Sequence, residues 1–149
     1  MTPEQNKKIA LEAFEALFNR KDIEAARAFW SPDYMQHNPL FADGREGLFQ
    51  FVSSLPSTAR FECQLAVAEG DYVMLHGRYS DNGYPANWVV VDILRLEDGV
   101  LVEHWDVIQD EAKTSASGRP MFGEHFPAYL LAGALTKDVS VPFGGAATA

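Results

Sequence analysis

The sequence predicts an α+β fold, in which N-terminal helices pack on one face of a curved, mainly antiparallel sheet. Apolar residues follow a helical spacing up to about residue 55, and alternating apolar and polar residues follow from about residue 60 to 110. Helices followed by a run of strands favour a layer of helices on a sheet over an alternating parallel architecture. With 149 residues, the chain fits a single domain with a sizeable core.

Three helices are expected in the first part of the chain, each with its own start signal. The first begins after Thr2, a good N-cap that is followed by Pro3 at the first helical position. Asp22 is the expected cap of a second, shorter helix that ends at SP, residues 31–32. Asp43, with a glutamate three residues later, is expected to cap a third helix. The segment DYMQHNPL between the second and third helices is expected to be extended and to break at its Asn-Pro pair.

Two hairpins are expected after the helices. Residues 60–69 and 72–80 flank a Gly-Asp turn, and residues 86–96 and 100–109 flank the sequence EDG. After residue 111 the alternation ends in the loop-like sequence AKTSASGRP. The domain is therefore expected to span residues 1–112, followed by an extension, residues 113–149, that packs on the body or on a partner. Its apolar residues are the expected contacts: Met121, Phe122, Phe126, Tyr129 and Leu130.

Charge and composition exclude several classes of function. The formal net charge of −9 argues against nucleic acid and anionic membranes as partners, because both are bound by basic patches. No run of 18 apolar residues is present to span a bilayer, and the N-terminal sequence lacks the features of an export signal, so a cytoplasmic location is expected. The single cysteine, Cys63, lies among apolar residues and is expected to be an inert core thiol.

The register of the second hairpin decides which polar side chains meet. A two-residue turn would place Asp92 opposite Trp105, whereas a three-residue loop would place Asp92 opposite His104. We favour the three-residue loop because it gathers Asp92, His104 and Asp106 on one face, since side chains alternate along a strand. The other side chains of that face are then apolar: Trp88, Val90, Leu94, Val102 and Ile108.

Two buried carboxylates beside an imidazole are typical of acid/base chemistry. Burial raises the pKa of a carboxylate, and a second carboxylate nearby raises it further, which suits a general acid or base at neutral pH. The alternative is a hydrogen-bonded cluster that only stabilises the sheet. A third interpretation is a metal site, because His104 and Asp106 have the HxD spacing of a non-haem iron site with His125 as a third ligand. We favour it least, because the chain is short for the jelly roll that usually carries that motif. His125 itself is expected to be a docking contact or solvated, and His76 a hydrogen-bonded histidine of the sheet.

The sequence VVVDILRLEDGVLVEHWDVIQDE, preceded by helices and by YMQHNP, resembles the SnoaL-like branch of the nuclear transport factor 2-like superfamily over residues 4–112. The resemblance implies a cone-shaped α+β barrel with a deep apolar pocket between helices and sheet. It also implies the chemistry of polyketide cyclases, an intramolecular aldol condensation with one aspartate as acid/base and no metal or organic cofactor. Asp106 matches that aspartate. Asp92 stands where these cyclases often have a histidine, and Asn38 and His37 match a polar position near the pocket.

We therefore expect a cofactor-independent enzyme that removes a proton next to a carbonyl, leading to aldol cyclisation or isomerisation of a small apolar or cyclic substrate. Asp106 is the expected acid/base, and His104 and Asp92 are expected to tune it or relay the proton. The expected substrate-binding residues are His37, Asn38, Tyr34, Trp88, Val90 and Ile108. The alternatives are hydrolysis or dehydration in the same pocket, and a non-catalytic dimeric ligand-binding domain.

A homodimer is also expected from the sequence. The opposite face of the second hairpin is nearly wholly apolar, and helices that cover the site face would leave it exposed, as in a protein interface. That face is predicted to contain Val89, Val91, Ile93, Leu101, Trp105 and Val107.

Overall fold

The structure, a computed structural model, describes residues 1–123 and confirms the α+β fold. Helices come first and a five-stranded sheet follows, as the spacing of apolar residues predicts. The helices are α1 (Pro3–Phe14), which continues into a π-helical turn (Glu15–Asn19), α2 (Ile23–Ala26) and α3 (Gly44–Ser54). The strands are β1 (Trp30–Gln36), β2 (Arg60–Glu69), β3 (Tyr72–Ser80), β4 (Trp88–Glu97) and β5 (Val100–Asp110).

The sheet has the strand order β1-β5-β4-β3-β2. All neighbouring strands are antiparallel except β1, which lies parallel to β5. The sheet is therefore mixed, although its two hairpins are those expected. The parallel pair has a consequence for function, because it brings the QHN sequence at the end of β1 beside His104 of β5.

Local signals at the helix starts are partly confirmed. The Thr2 side chain accepts a hydrogen bond from the backbone of Gln5, and the Gln5 side chain accepts one from the backbone of Thr2, which forms the expected capping box. Asp22 caps α2 through the backbone N–H of Ala25. Asp43 does not cap α3 with its side chain, because that carboxylate accepts a hydrogen bond from the backbone of Gln36 instead. The second helix is also shorter than expected, since Trp30 already belongs to β1.

The core lies between the helices and the inner face of the sheet. Phe14 of α1 is buried and packs its ring 5.0 Å from that of Phe61 in β2, measured between centroids. Each such side chain contributes about 1.5–3 kcal/mol by leaving water. The centre of the core consists of fully buried side chains from both layers: Leu17, Trp30, Val52, Val73, Leu75, Leu94, Leu96 and Leu101.

The β4–β5 hairpin corrects the predicted loop but keeps the predicted face for the polar residues. Asp98 and Gly99 form a two-residue turn with positive φ angles of 49° and 82°, so the three-residue loop is wrong. The register then shifts by one residue at Val102, a β-bulge, after which Asp92 lies opposite Asp106 and not opposite His104. The bulge restores the alternation that the turn alone would have reversed. It also turns Leu101 into the core, which corrects its assignment to the outer face.

The last described residues lie against the outer face of the sheet. The guanidinium carbon of Arg78 lies over the ring of Phe122, 4.9 Å from the ring centroid. The ring centroids of Phe122 and His76 are 5.7 Å apart. The Gln64 side chain donates a hydrogen bond of 2.6 Å to the carbonyl of Gly123. The remaining residues expected to make contacts, Phe126, Tyr129 and Leu130, lie outside the described part of the chain, as does His125.

Within residues 1–123, no helix is both long enough and apolar enough to cross a membrane.

Candidate active site

Three ionisable side chains from β4 and β5 meet on the inner face of the sheet. Nε2 of His104 lies 2.9 Å from Oδ1 of Asp92 and 4.0 Å from Oδ2 of Asp106. Asp92 and His104 are buried, and the Asp106 side chain is 9% exposed. The strand alternation places them together, because positions 104 and 106 share a face and Asp92 lies opposite Asp106. The sequence-predicted trio is thus a cluster in space.

Asn38 holds Asp106 in place. Its Nδ2 donates a hydrogen bond of 2.6 Å to Oδ2 of Asp106, while its Oδ1 accepts one of 2.7 Å from the backbone of Leu40. The second bond fixes the orientation of the amide, since only the oxygen can accept from an N–H. Asn38 is buried, and its amide is committed to these two partners. It therefore positions a carboxylate, where the sequence predicted that it would bind substrate.

Gln36 contacts the other side of His104 and was missed from the sequence. Its Oε1 lies 2.8 Å from Nδ1 of His104 and accepts a hydrogen bond of 2.9 Å from the backbone of Asn38. Its Nε2 donates to the hydroxyl of Tyr34 at 3.3 Å. The available signal was alternation along β1, which places Gln36 two residues from the buried Tyr34 and on the same face.

His37 lies outside the cavity, which corrects the prediction that it binds substrate there. Its ring stacks on Trp105, with centroids 4.8 Å apart and an angle of 4° between the planes, and its Nε2 lies 2.9 Å from Oε1 of Glu103. Glu103 and Trp105 both belong to the row of β5 side chains on the outer face of the sheet. The reason is alternation again, because His37 lies between two residues, Gln36 and Asn38, that reach the inner side.

A cavity lies between the helices and the inner face of the sheet, with Asp92, His104 and Asp106 in its wall. Tyr34, Trp88 and Ile108 line it as predicted, whereas Val90 is buried in the sheet and does not line it. The volume is about 30 Å³, enough for a water molecule or two, so a larger ligand has to displace side chains. The rest of the wall is mostly aromatic or aliphatic: Phe14, Phe18, Trp30, Phe41, Leu48, Phe51, Leu55, Tyr79 and Asn82.

Burial dominates the electrostatics of the site. It raises the pKa of Asp92, and the hydrogen bond from His104 opposes that rise while the charge of Asp106 adds to it. Burial also raises the pKa values of Tyr34 and Tyr79, and the negative charges of Asp92 and Asp106 raise them further. Both phenols therefore keep their hydrogens near neutral pH. The Tyr79 hydroxyl donates to Oδ2 of Asp92 at 3.4 Å. The cavity therefore combines carboxylates with neutral hydroxyl donors.

Trp30 supplies an unused donor to this wall. Among the described residues, its Nε1 is one of two buried side-chain polar atoms that have no hydrogen-bond partner, the other being Oδ1 of Asn6. The indole N–H approaches the Tyr34 hydroxyl closely enough to oppose the rise in the Tyr34 pKa, but it lacks the geometry of a hydrogen bond. An unsatisfied buried donor costs about 1–3 kcal/mol. A ligand oxygen near Trp30 and Tyr34 would remove that cost.

The same trio has the composition of a metal site. One ligand atom from each of Asp92, His104 and Asp106 lies within 4.8 Å of the other two, close enough to converge on one ion. Asp92 thus takes the place that the sequence interpretation gave to His125. A proton between His104 and Asp92 would satisfy the same atoms, and chelation distinguishes the two cases.

The sequence matches the family model of the SnoaL-like domain over residues 11–104, so the match ends two residues before Asp106. No curated protein matches the sequence. Solved structures do. A candidate ketosteroid isomerase from Kribbella flavida DSM 17836 is 24% identical with a TM-score of 0.64, and the alignment covers 86% of this chain and 94% of that one.

Two further solved structures carry other names. IdmH, a candidate polyketide cyclase from Streptomyces antibioticus, is 22% identical with a TM-score of 0.54 over 72% of this chain and 92% of that one. AclR, a candidate hydroxylase from Streptomyces galilaeus, is 26% identical with a TM-score of 0.59 over 73% of this chain and 81% of that one.

These likenesses agree with the predicted nuclear transport factor 2-like fold, and their three different names show that the fold alone does not decide the reaction. The family match covers more than half of the chain and confirms the resemblance seen in the final hairpin. The chain belongs to the SnoaL-like domain family.

Proposed function

We propose that this protein is a small-molecule enzyme that removes a proton next to a carbonyl, with Asp106 as the general base. The observation that carries the proposal is the placement of Asp106 in the cavity wall, held by the short hydrogen bond from Asn38. The amide donor fixes the orientation of the carboxylate beside the cavity, as a general base requires. The products would be those of aldol cyclisation or isomerisation.

The reaction also requires that the negative charge that develops on the substrate oxygen be stabilised. Tyr34 and Trp30 both line the cavity and can donate hydrogen bonds to that oxygen. The Tyr34 phenol keeps its hydrogen because its pKa is raised, and the indole N–H of Trp30 has no other partner. Donors placed in a site with little water stabilise a developing oxyanion by several kcal/mol. His104 and Asp92, on the other side of Asp106, are the proposed route for proton relay.

The charges of the cavity favour a neutral substrate. Its described lining contains Asp92 and Asp106 with His104, and no lysine or arginine. An anionic substrate would be buried without a cationic partner, which is costly. We therefore propose an uncharged, largely apolar or cyclic ketone or diketone as the substrate class.

The small volume of the cavity favours a second candidate function, a non-catalytic ligand-binding domain. Aromatic side chains make up much of the cavity wall, including Phe41 and Phe51, whose ring centroids are 4.3 Å apart. Under the catalytic proposal these rings must move to admit substrate. Under the alternative they stay in place, the pocket is vestigial and admits nothing larger than water, and any ligand binds elsewhere on the domain.

Solvent deuterium exchange tests the catalytic proposal. The protein is incubated in D2O with a panel of neutral cyclic ketones and 1,3-diketones, and loss of the proton next to the carbonyl is followed by NMR, with and without chelator. Catalysed exchange that chelator does not change supports proton abstraction by side chains alone. Binding of these compounds without exchange favours the non-catalytic domain. Hydrolysis or dehydration would appear in the same spectra as a new product.

We further propose a homodimer through the outer face of the sheet. Val67, Met74 and Val107 are 47%, 43% and 67% exposed there, beside the half-buried Ile93 and Trp105. A connected apolar surface of this kind is typical of a protein interface. Sedimentation equilibrium at tens of micromolar tests it, and a Val107→Lys variant should shift the equilibrium to monomer. A monomeric parent protein would contradict the proposal.

A further inference from the structure

The hydrogen bonds around His104 determine where its hydrogen lies. Oε1 of Gln36 accepts from the backbone N–H of Asn38, at 2.9 Å, which fixes the orientation of the glutamine amide. The opposite orientation would point an NH2 group at a backbone N–H. The same oxygen lies 2.8 Å from Nδ1 of His104. Because a carbonyl oxygen can only accept, Nδ1 must donate.

This assignment leaves a deficit of one hydrogen on the other side of the ring. With its hydrogen on Nδ1, a neutral imidazole presents a lone pair at Nε2. That lone pair would face Oδ1 of Asp92 at 2.9 Å, and an ionised Asp92 would present a second lone pair to it. Two acceptors do not approach to this distance in a buried site. One proton must lie between them, whether it is bound to Nε2 or to Asp92.

We infer that Gln36 is a positioning residue that keeps the hydrogen of His104 on Nδ1, so that His104 and Asp92 share one transferable proton beside Asp106. The buried position of Asp92 and His104 isolates this proton from bulk water. The assignment of the proton rests on hydrogen-bond geometry alone. Its transfer rests on the proposed function.

The transfer balances as follows. Asp106 takes the proton from the carbon next to the carbonyl, and the electron pair of that C–H bond becomes the enolate. The enolate oxygen takes the shared proton, which leaves an Asp92 carboxylate and a neutral His104 with its hydrogen on Nδ1. The two acceptors then face each other without a hydrogen and repel, so this state is transient and favours return of a proton to the pair. In an isomerisation, Asp106 returns its proton to a different carbon and the enol O–H returns the shared proton to the pair. No ion or other reactant is consumed.

Long-range proton–nitrogen NMR of 15N-labelled protein tests the assignment without any substrate. The protein has four histidines, and comparison with a His104→Asn variant identifies the signals of His104. We expect a hydrogen on Nδ1 in the parent protein. In Gln36→Leu, which has no acceptor for Nδ1, we expect the hydrogen on Nε2, donated to an ionised Asp92. In Gln36→Glu, which restores an acceptor, Nδ1 should carry the hydrogen again.

Controls separate positioning from loss of structure. Gln50→Leu, an exposed glutamine on α3, should leave the His104 signals unchanged. Thermal unfolding shows whether Gln36→Leu folds, and Gln36→Met replaces it if it does not. The inference would be overturned if Nδ1 of His104 carried no hydrogen in the parent protein. An unchanged His104 spectrum in Gln36→Leu would overturn it as well. A His104 signal that changes when chelator removes a bound ion would also overturn it, because the ion would then replace the proton.

Deuterium exchange in the same variants distinguishes this inference from the proposed function. If both hold, Gln36→Leu lowers the exchange rate about tenfold or more and Gln36→Glu recovers most of it. If the spectra behave as expected and no ketone exchanges, the proton assignment stands and the proposed function fails.

Discussion

Replacement of Asp106 by asparagine removes the proposed base while changing very little else. The new carboxamide can present its oxygen to Nδ2 of Asn38, so the hydrogen bond now measured at 2.6 Å can be kept. It changes from a bond to a charged acceptor to a bond between neutral groups, which loses about 1 kcal/mol. Loss of a negative charge near Asp92, in a side chain that is 9% exposed, offsets part of that loss. We expect the free energy of unfolding to change by less than about 1 kcal/mol.

The effect on rate should be much larger. A positioned general base contributes about 10²- to 10⁴-fold, which corresponds to about 3–5 kcal/mol in the activation free energy. The measurement is the rate of deuterium exchange into the ketone that the parent protein exchanges fastest, together with the melting temperature of the same sample. Asp110→Asn is the matched control, because Asp110 is exposed at the end of the same strand.

Three results would refute this reasoning. An unchanged exchange rate in Asp106→Asn would show that another group is the base. An equal loss of rate in Asp110→Asn would show that the loss reflects charge or strand structure. A collapse of the melting temperature would show that Asp106 mainly stabilises the fold.

The remaining predictions concern the neighbours of that carboxylate and the cysteine. Since the pKa of Asp92 is raised in the folded protein, its contribution to stability is fully present below about pH 3.9 and is lost as the pH rises through the folded pKa. The difference in melting temperature between Asp92→Asn and the parent should therefore shift in favour of the variant as the pH rises from 4 to 8. Deuterium exchange into the ketone should be slower with Asp92→Asn than with the parent. Asn38→Leu, which removes a hydrogen bond to a charged group, should cost about 1.5–3 kcal/mol in urea unfolding and slow exchange less than Asp106→Asn does. Burial raises the pKa of Cys63 from 9.0 to about 12, so native protein at pH 8 should be alkylated about a thousandfold more slowly than unfolded protein; equal rates would contradict this.

Alternation along strands made the main features of the site predictable from the sequence. Burial of one face is a requirement that the whole strand must meet, so Asp92, His104 and Asp106 were placed together although the hairpin loop was wrong. The bulge at Val102 could not be predicted, because a two-residue turn with a bulge and a three-residue loop both place Asp92, His104 and Asp106 on one face. They differ in which residue lies opposite Asp92 and in the face on which Leu101 lies.

The contribution of β1 was harder to predict, because it depends on a contact between distant parts of the sequence. Nothing in YMQHNP indicates that this strand pairs in parallel with the last one, and Gln36 reaches His104 only through that pairing. His37 was placed wrongly for a different reason. The alternation rule that worked on β5 also applies to β1, and it would have placed His37 on the outer face with Met35.

The distribution of tryptophan makes the cavity optically observable. Of the three tryptophans, Trp30 and Trp88 line the cavity, and Trp105 stacks on His37 on the outer face. Any molecule that enters must contact or displace atoms beside two of the three indole chromophores. Intrinsic fluorescence can therefore report occupancy before a substrate or reaction is known. A Trp105→Phe variant would remove the signal from the outer face and leave emission that comes from the cavity wall alone.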